Sequence, residues 1–457
     1  MTQPVQDILL EVSPGERRAA AMDGEGRLVA LDVERMGEAS LVGAICLARV
    51  TRTEGDGAFL DIGCETPGFL ARGRGLHDGA ALTVQVSRDA WGGKGVAVTR
   101  NPMLSGRYLV LRPDVSGLQW SRGLNARARQ ALEETVQTIA CDGDGLTVRT
   151  NAAQADRDAL IAEAERLRAE WQAIAADAQV AKGPAVLWSA PDLPERLLRD
   201  AAPAGDFVVD DRRVVAAMTA RAQEIAPDLA GRIALHDGRE PLFEAAGVED
   251  QVAEALSRRV ALADGANLII DELEALTAID VNSGGAGGRR RSDEAIFRLN
   301  SAAADAAARQ VMLRNIAGLI VIDFVSMRSK GNRRKLVERV RRAFAGDTVA
   351  VDVLGMTPAG LVEVTRQRRG RSLANVMLQP RVGDAPMRPA AAACAALRAV
   401  LRELGGGRPV LRCAPEVARA LDGVLRPALD ETSRRLGQAL RVEADPACRG
   451  YEIVRER

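Results

Sequence analysis

The sequence predicts a multidomain protein of mixed α/β (α+β) class, and three observations lead to that prediction. A chain of 457 residues exceeds the usual size of one domain. Short glycine-bounded strand patterns fill residues 39–112, whereas long helical patterns fill residues 113–190. Hydrophobic residues make up 47% and charged residues 27% of the chain, a balance typical of folded soluble proteins. We therefore expect several folded domains, each with its own core.

The first segment, residues 7–33, predicts a two-stranded β-hairpin. Its strands are expected at 8–12 and 27–33, and the turn-forming residues 23–26 (DGEG) lie between them. A hairpin of this size does not fold alone. We therefore expect it to pair with a later part of the chain.

Residues 39–112 predict a small closed barrel of the oligonucleotide-binding type, because five short strand patterns follow one another with tight turns. The expected strands are 44–50, 58–62, 68–71, 82–86 and 96–99. Phe59 and Phe69 lie on neighbouring strands, where they would form a platform on which bases stack. Phenylalanine is usually buried, so a place in the barrel core is an equal alternative for both rings.

Residues 113–190 predict two helices, 126–139 and 152–181, with a short strand at 146–150 between them. Arg149 and Thr150 end that strand. A guanidinium can grip a terminal phosphate through two hydrogen bonds, and a hydroxyl can add a third. An arginine that merely covers a strand end is the alternative. Residues 191–260 predict mixed strands and helices, which we interpret as scaffold.

The most informative stretches are 276–285 and 318–324, two apolar runs that carry a carboxylate near their ends, Asp280 and Asp323. Side chains alternate along a strand, so Asn282 projects to the same side as Asp280. A helix predicted over 293–313 joins the two strands and can bring their ends together. We therefore expect two carboxylates and an amide to converge.

This set of oxygen ligands without His or Cys suits magnesium, with manganese as an alternative, and does not suit zinc. Magnesium takes one or two protein carboxylates, keeps several waters, and leaves room for a substrate phosphate. The alternative is that each aspartate merely ends a strand and caps a turn. Basic residues within 284–291 and 328–342 add local positive charge to a chain whose net charge is zero. Acidic ligands flanked by cations favour chemistry on a phosphodiester.

A family resemblance is carried by residues 277–284 (TAIDVNSG), 318–324 (GLIVIDF) and 354–368 (LGMTPAGLVEVTRQR). In this order they resemble the catalytic core of the ribonuclease E/G family, and the resemblance extends over most of the chain. It implies a magnesium-dependent endoribonuclease that cuts single-stranded RNA, either messenger or ribosomal precursor, and leaves 5′-phosphate ends. It also implies that Asp280 and Asp323 ligate the magnesium ion, and that Asn282 supports Asp280 or a bound water.

The resemblance assigns further residues to RNA contacts. Phe59 and Phe69 match the family's RNA-contacting pair. Lys94 matches a lysine that faces the scissile region, whereas its sequence context alone indicates a solvated loop lysine. Arg149 and Thr150 match the pocket that senses a 5′-monophosphate, which implies a preference for 5′-monophosphorylated RNA.

The resemblance also implies a domain order. We expect a ribonuclease-H-like subdomain from residues 1–38 and 191–260, an inserted OB-fold RNA-binding barrel (39–112), a 5′-sensor region (113–190), a DNase-I-like catalytic domain (261–380) and a small C-terminal α/β domain (387–457).

The chain departs from the family in one respect. The family's Cys-Pro-x-Cys motif, which shares a zinc ion between protomers, is missing, because residues 370–380 contain no cysteine. A structural zinc is therefore not expected, and a homodimer would need a zinc-independent interface. A weakly active or inactive RNA-binding protein, or a ribosomal RNA assembly factor, stays open as an alternative to the enzyme.

The location of the protein is inferred from three features. The six cysteines are scattered, the first residues lack a signal-peptide pattern, and no apolar stretch is long enough to cross a bilayer. We expect a cytoplasmic protein with reduced thiols and no membrane association.

Overall fold

The computed structural model describes residues 5–38, 40–73, 75–90, 95–140, 144–284, 292–347, 349–368, 370–378, 387–402 and 407–456. The chain divides into two units. The first comprises Met1–Ala39, Pro203–Asp211 and Ala234–Arg457, and the second comprises Ser40–Ala202 and Arg212–Ile233. Within the described ranges, no helix combines the length and the apolar composition that a membrane crossing requires.

The first unit begins with three antiparallel strands, β1 (Val5–Ser13), β2 (Glu16–Asp23) and β3 (Leu28–Arg35). Strand β2 pairs with both of its neighbours, so the two-stranded hairpin predicted for residues 7–33 is wrong. The sequence of β2 (ERRAAAMD) lacks β-branched residues and therefore gives no strand signal. Its Glu16 and Arg18 are buried in ion pairs instead: Arg18 donates to Glu11 of β1 at 2.9 Å, and Arg35 of β3 donates to Glu16.

The second unit contains a closed barrel of five strands. They are β4 (Ile45–Glu54), β5 (Gly57–Asp61), β6 (Gly68–Leu70), β7 (Ala81–Arg88) and β8 (Val96–Thr99). Strand β4 pairs with both β5 and β7, which closes the barrel. Small and medium aliphatic side chains such as Leu60, Ile62 and Val84 fill its interior. The barrel is consistent with the predicted OB-fold.

A four-stranded sheet with the order β11–β12–β10–β9 and four helices complete the second unit. The strands are β9 (Leu104–Ser105), β10 (Leu109–Arg112), β11 (Gly117–Trp120) and β12 (Gly145–Val148), and β13 (Ala185–Trp188) pairs with β4. The helices are α1 (Ala126–Ile139), α2 (Arg157–Val180), α3 (Leu193–Asp200) and α4 (Arg212–Ile225). Buried Glu163 of α2 accepts the consecutive backbone N–H groups of Arg107, Tyr108 and Leu109, each at 2.7 Å, and so ties α2 to β10.

Two later strands, β14 (Phe207–Val209) and β15 (Ile233–Leu235), complete the first sheet in the order β15–β14–β1–β2–β3. Strand β14 runs parallel to β1. Helices α5 (Leu242–Ala245) and α6 (Val248–Leu256) pack on this sheet through apolar residues such as Phe243 and Val252.

A six-stranded sheet forms the centre of the first unit, with the order β16–β17–β18–β19–β21–β20. Its strands are β16 (Arg259–Ala261), β17 (Asn267–Glu272), β18 (Thr277–Asn282), β19 (Gly318–Asp323), β20 (Val351–Met356) and β21 (Leu361–Arg366). Strands β18 and β19 are parallel, and the other neighbours are antiparallel. Helices α7 (Asp293–Leu313) and α8 (Lys330–Phe344) cover one face of the sheet, where Ile279, Ile322 and Leu336 share one core. The opposite face carries exposed polar side chains, among them Asp280, Asn282 and Asp323.

The C-terminal part of the first unit is a small α/β module with the sheet order β23–β22–β24. Its elements are α9 (Leu373–Met377), α10 (Pro389–Arg402), β22 (Arg408–Cys413), α11 (Pro415–Asp422), α12 (Arg426–Leu436), β23 (Arg441–Ala444) and β24 (Tyr451–Glu456). Helix α10 joins the buried ion pairs of the N-terminal sheet, because Arg398 contacts Glu16 and Arg402 contacts Glu11. Helix α11 ends at Asp422, and α12 follows it as a separate helix.

Candidate active site

Asp280 and Asp323 lie side by side near the ends of the parallel strands β18 and β19. They are register partners, so their Cα atoms are separated by the spacing of adjacent strands, about 4.8 Å. Alternation along β18 and β19 buries Ile279 and Ile322 against the helices and leaves both aspartates exposed on the opposite face. The two carboxylates that the sequence places on separate strands are therefore neighbours in space.

Asn282 lies on the same face, two residues beyond Asp280. Its Nδ2 donates a hydrogen bond of 2.8 Å to Oδ2 of Asp280. This bond fixes the orientation of the carboxylate and leaves its other oxygen available. Within the described ranges, no group of three or more His, Cys, Asp or Glu side chains is placed to hold a metal ion. Two carboxylates beside an amide fit magnesium, which completes its coordination with water and phosphate oxygens.

A buried asparagine that the sequence reasoning missed positions the chain just after Asp323. Asn300, in the middle of α7, accepts the N–H of Val325 at 3.1 Å and donates to its carbonyl oxygen at 2.7 Å. The Asn300 side chain is fully buried, so these bonds have no competition from water. The signal that could have identified it is a polar residue within the apolar stripe of α7.

Basic residues lie near the acidic pair, Asp280 and Asp323, in the sequence, but some of them form ion pairs with other residues. Arg339 of α8 pairs with Asp305 of α7, and Arg341 pairs with Glu338. Exposed residues at the start of α8, such as Arg334, stay available to a ligand. Residues 285–291 of the Gly/Arg-rich loop lie outside the described residues.

The third motif, residues 354–368, stabilises the sheet next to β19. Arg366 of β21 forms a buried ion pair with Asp347, in which Nε lies 2.7 Å from Oδ2. Its Nη1 donates to Oδ1 of Asn315 at 2.9 Å and to the carbonyl of Ile316 at 3.0 Å. Because these atoms flank the start of β19, we interpret this arginine as structural support for the strand that carries Asp323.

Phe59 and Phe69 form an aromatic pair on the outside of the barrel. They are register partners on β5 and β6, their ring centroids are 5.2 Å apart, and the ring planes are tilted by 56°. Both side chains are half-buried, whereas Ala58 and Leu60, at the alternate positions, point inward and are fully buried. The guanidinium of Arg52 lies 4.8 Å from the Phe59 ring centroid. The arrangement favours the stacking interpretation over a place in the core.

Arg149 and Thr150 lie at the end of β12, where a 3₁₀ turn begins. The guanidinium of Arg149 donates to the carbonyl of Gly106 and, at 2.8 Å, to Oδ1 of Asp200. The Thr150 hydroxyl lies 2.9 Å from that of Ser121. Burial by itself would raise the pKa of Asp200, but Arg199 and Arg149 outweigh it and hold this pKa below its usual value. A phosphate that binds Arg149 must therefore share the guanidinium with an ionised carboxylate.

Lys94, the remaining residue that the sequence assigns to an RNA contact, lies outside the described residues.

Comparison with known proteins adds an independent observation. Residues 103–369 match the sequence model of the ribonuclease E/G family. Ribonuclease G of Escherichia coli (strain K12) is 30% identical, over 96% of this chain and 97% of that protein. Ribonuclease G of Haemophilus influenzae is 30% identical over 81% of each chain. Ribonuclease E of Escherichia coli (strain K12) is 33% identical over 78% of this chain and 36% of that longer protein.

Proposed function

Since the chain belongs to the ribonuclease E/G family, we propose that it is a magnesium-dependent endoribonuclease that cuts single-stranded RNA in RNA processing and decay. One observation carries the proposal: Asp280 and Asp323 face each other on the exposed side of the six-stranded sheet. Two exposed carboxylates at the spacing of adjacent strands repel each other. A divalent ion with a phosphate ligand would remove that repulsion.

The reaction is a hydrolysis that leaves 5′-phosphate and 3′-hydroxyl ends. The water oxygen bonds to phosphorus, the bond from phosphorus to the 3′ oxygen breaks, and that oxygen gains a proton. The ion, when bound, supplies charge stabilisation at the phosphodiester and lowers the pKa of a water. Asp280 and Asp323 would hold the ion, and Asn282 would keep the Asp280 carboxylate in its orientation. Manganese would fit the same ligands.

The barrel supplies the sequence-tolerant part of substrate binding. Bases stack on Phe59 and Phe69, which requires them to be unpaired, and so the enzyme selects single-stranded RNA. Arg52 lies against Phe59 and pairs with Glu54 at 2.8 Å, so a phosphate that binds it beside the stacked bases would share the guanidinium with that carboxylate. The phosphates neutralised by such cations make binding depend on salt, with a log–log slope of about −0.7 for each phosphate.

Arg149 and Thr150 would favour RNA with a 5′-monophosphate. A terminal phosphate carries more charge than an internal one and can accept two hydrogen bonds from a guanidinium. Asp200 holds the Arg149 side chain in place through a bond of 2.8 Å. The arginine is thus fixed before the RNA arrives, which lowers the entropy that binding must overcome.

We further propose the domain assignments implied by the sequence. The N-terminal sheet joins strands from residues 5–35 with strands from 207–235, which supports a ribonuclease-H-like subdomain interrupted by the barrel and the 5′-sensor. The six-stranded sheet with its two helices supports the assignment of 261–380 as a DNase-I-like catalytic domain. A homodimer would form through an interface without zinc.

The proposal is tested by incubating the protein with magnesium and a 5′-monophosphorylated, A/U-rich oligoribonucleotide. The double variant Asp280→Asn/Asp323→Asn is assayed beside it. A matched control is Asp352→Asn, which removes an exposed carboxylate from β20 of the same sheet. We expect magnesium-dependent cutting by the wild type and the control, and none by the double variant.

Other outcomes identify the alternatives. Equal RNA binding by all three proteins without cutting would indicate an RNA-binding protein that lacks catalysis. Cutting that the double variant retains would exclude the aspartate pair as the catalytic site.

A further inference from the structure

An open pocket of about 500 Å³ lies beside Asn282, lined by β16, β17 and the end of β18. We propose that this pocket binds a second phosphate of the RNA strand, adjacent to the phosphate that is cut, and that Arg259 is the cation that holds it. The inference rests on the proposed ribonuclease function and adds a phosphate subsite to the same face of the sheet.

The charge of the pocket fits an anion. Arg259 carries the only formal charge among the described residues of the lining. Its exposed guanidinium forms no ion pair or hydrogen bond within the described part of the chain. The neighbouring Arg258, by contrast, pairs with Asp271, with Nη2 2.8 Å from Oδ2. An unpaired arginine beside a cavity whose described lining has no carboxylate is suited to a phosphate.

A nearly buried amide also points to a ligand. Asn267 of β17 is only 7% exposed, and it lies opposite Asn282 in the antiparallel register. In the described ranges its carboxamide has no hydrogen-bond partner, although it lines the pocket. The amide opens onto the pocket, where a phosphate oxygen would accept its N–H.

The backbone of the pocket is shaped by a glycine contact. Gly284 adopts a left-handed conformation with φ of 70°, and a Cβ there would lie 2.4 Å from the carbonyl oxygen of Gly265. Only glycine at this position permits the two backbones to approach. The missing side chains also leave the pocket open to a strand of RNA.

The register places Arg259 at a suitable distance from the acidic pair. Arg259 is opposite Ile269, and Ile269 is opposite Asp280, so all three project from the same face. Two strand spacings separate the Cα atoms of Arg259 and Asp280 by about 10 Å. Free charges at this separation are largely screened from each other at physiological salt. Arg259 would thus act by contact with a neighbouring phosphate and not through the metal ligands.

The experiment measures RNA binding without catalysis. Equilibrium binding of a 5′-monophosphorylated, A/U-rich oligoribonucleotide is determined in EDTA at a series of salt concentrations. Arg259→Gln is compared with the wild type, with Arg259→Lys, and with Arg419→Gln. Arg419 is an exposed arginine of α11, outside the six-stranded sheet, so its replacement removes the same charge elsewhere.

We expect Arg259→Gln to bind more weakly and to reduce the log–log salt slope by about 0.7, the value for one phosphate on a single strand. Arg259→Lys should retain the slope, and Arg419→Gln should match the wild type. A slope in Arg259→Gln equal to that of the wild type would overturn the inference and leave the ribonuclease proposal intact. A wild type that binds no RNA in EDTA would overturn the inference, whereas the ribonuclease proposal is decided separately by the magnesium-dependent cutting assay.

A chemical probe locates the contact. A single neutral methylphosphonate is introduced at successive positions of the oligoribonucleotide. The position contacted by Arg259 should weaken wild-type binding and leave Arg259→Gln unaffected. If every position weakens the two proteins equally, Arg259 contacts no particular phosphate, and the inference is wrong.

Discussion

The aromatic pair on the barrel gives the most detailed prediction, because its two interpretations differ in measurable ways. We expect Phe59→Ala and Phe69→Ala each to weaken RNA binding without destabilising the fold. Both rings are half-buried on the outer surface, and aliphatic side chains fill the barrel interior. The rings therefore contribute contact area for a ligand more than they contribute to the core.

The expected loss of RNA affinity can be estimated from the stacking geometry. A base stacked on an aromatic side chain contributes about 1–3 kcal/mol, which corresponds to about fivefold to 150-fold in Kd. The larger loss is expected for Phe59→Ala, since Arg52 lies 4.8 Å from this ring centroid and would lose that contact while keeping its ion pair with Glu54. The centroids are only 5.2 Å apart, so the losses should not add, and the double variant should lose less than the sum.

The assay is fluorescence anisotropy of a 3′-labelled oligoribonucleotide in EDTA, with urea denaturation of each variant as the stability control. Surface substitutions change the free energy of unfolding by about 0.5 kcal/mol or less, whereas deletion of a core phenylalanine costs about 3–5 kcal/mol. An unchanged affinity for RNA, together with a loss of about 3–5 kcal/mol in the free energy of unfolding, would refute the stacking interpretation. Both rings would then be part of the barrel core.

Two further predictions concern Arg149 and Asp210. Arg149→Gln should narrow the rate difference between 5′-monophosphate and 5′-hydroxyl substrates by about tenfold, since it removes a charged hydrogen bond; an unchanged difference would exclude the sensor assignment. Burial, with smaller contributions from Glu11 and Asp211, raises the pKa of Asp210 to about 6, although the Val12 N–H donates to its carboxylate. The folded state thus binds this proton more tightly than the unfolded chain, and stability is lost as pH rises from about 4 to 6. Asp210→Asn, which can still accept that N–H, should raise the free energy of unfolding at pH 7.5 by up to about 3 kcal/mol and have little effect at pH 4; equal stabilities at pH 7.5 would contradict this.

The strands that carry the acidic pair could be predicted because their sequences are locally unambiguous. Short runs of β-branched and aliphatic residues such as 318–324 favour a strand in almost any context. The sequence predicts the helix between them at 293–313, because Ser292 or Asp293 can cap it and its alanines repeat at helical spacing. Helix α7 occupies this range, and Ser292 is its cap. The sequence could not give the register that places Asp280 opposite Asp323, because register depends on the pairing of whole strands.

The elements that escaped prediction are those whose stability comes from tertiary contacts. Strand β2 contains alanines and charged residues, and it is held by its pairing with β1 and β3 and by the buried ion pairs of Glu16 and Arg18. Strand β16 has only three residues, and their sequence shows no pattern that predicts a strand. The sequence also gives no indication of a role for Arg259, because its position on the same face as Asp280 depends on the pairing of β16 with β17.

The central claim is that Asp280 and Asp323 share one divalent ion. Manganese binding, followed by electron paramagnetic resonance of the unbound ion and by competition with magnesium, tests it without RNA or catalysis. We expect a single manganese site per chain. Magnesium should displace the ion from this site, either Asp280→Asn or Asp323→Asn should remove the site, and Asp352→Asn should retain it. A manganese site of unchanged affinity in the Asp280→Asn/Asp323→Asn variant would contradict it.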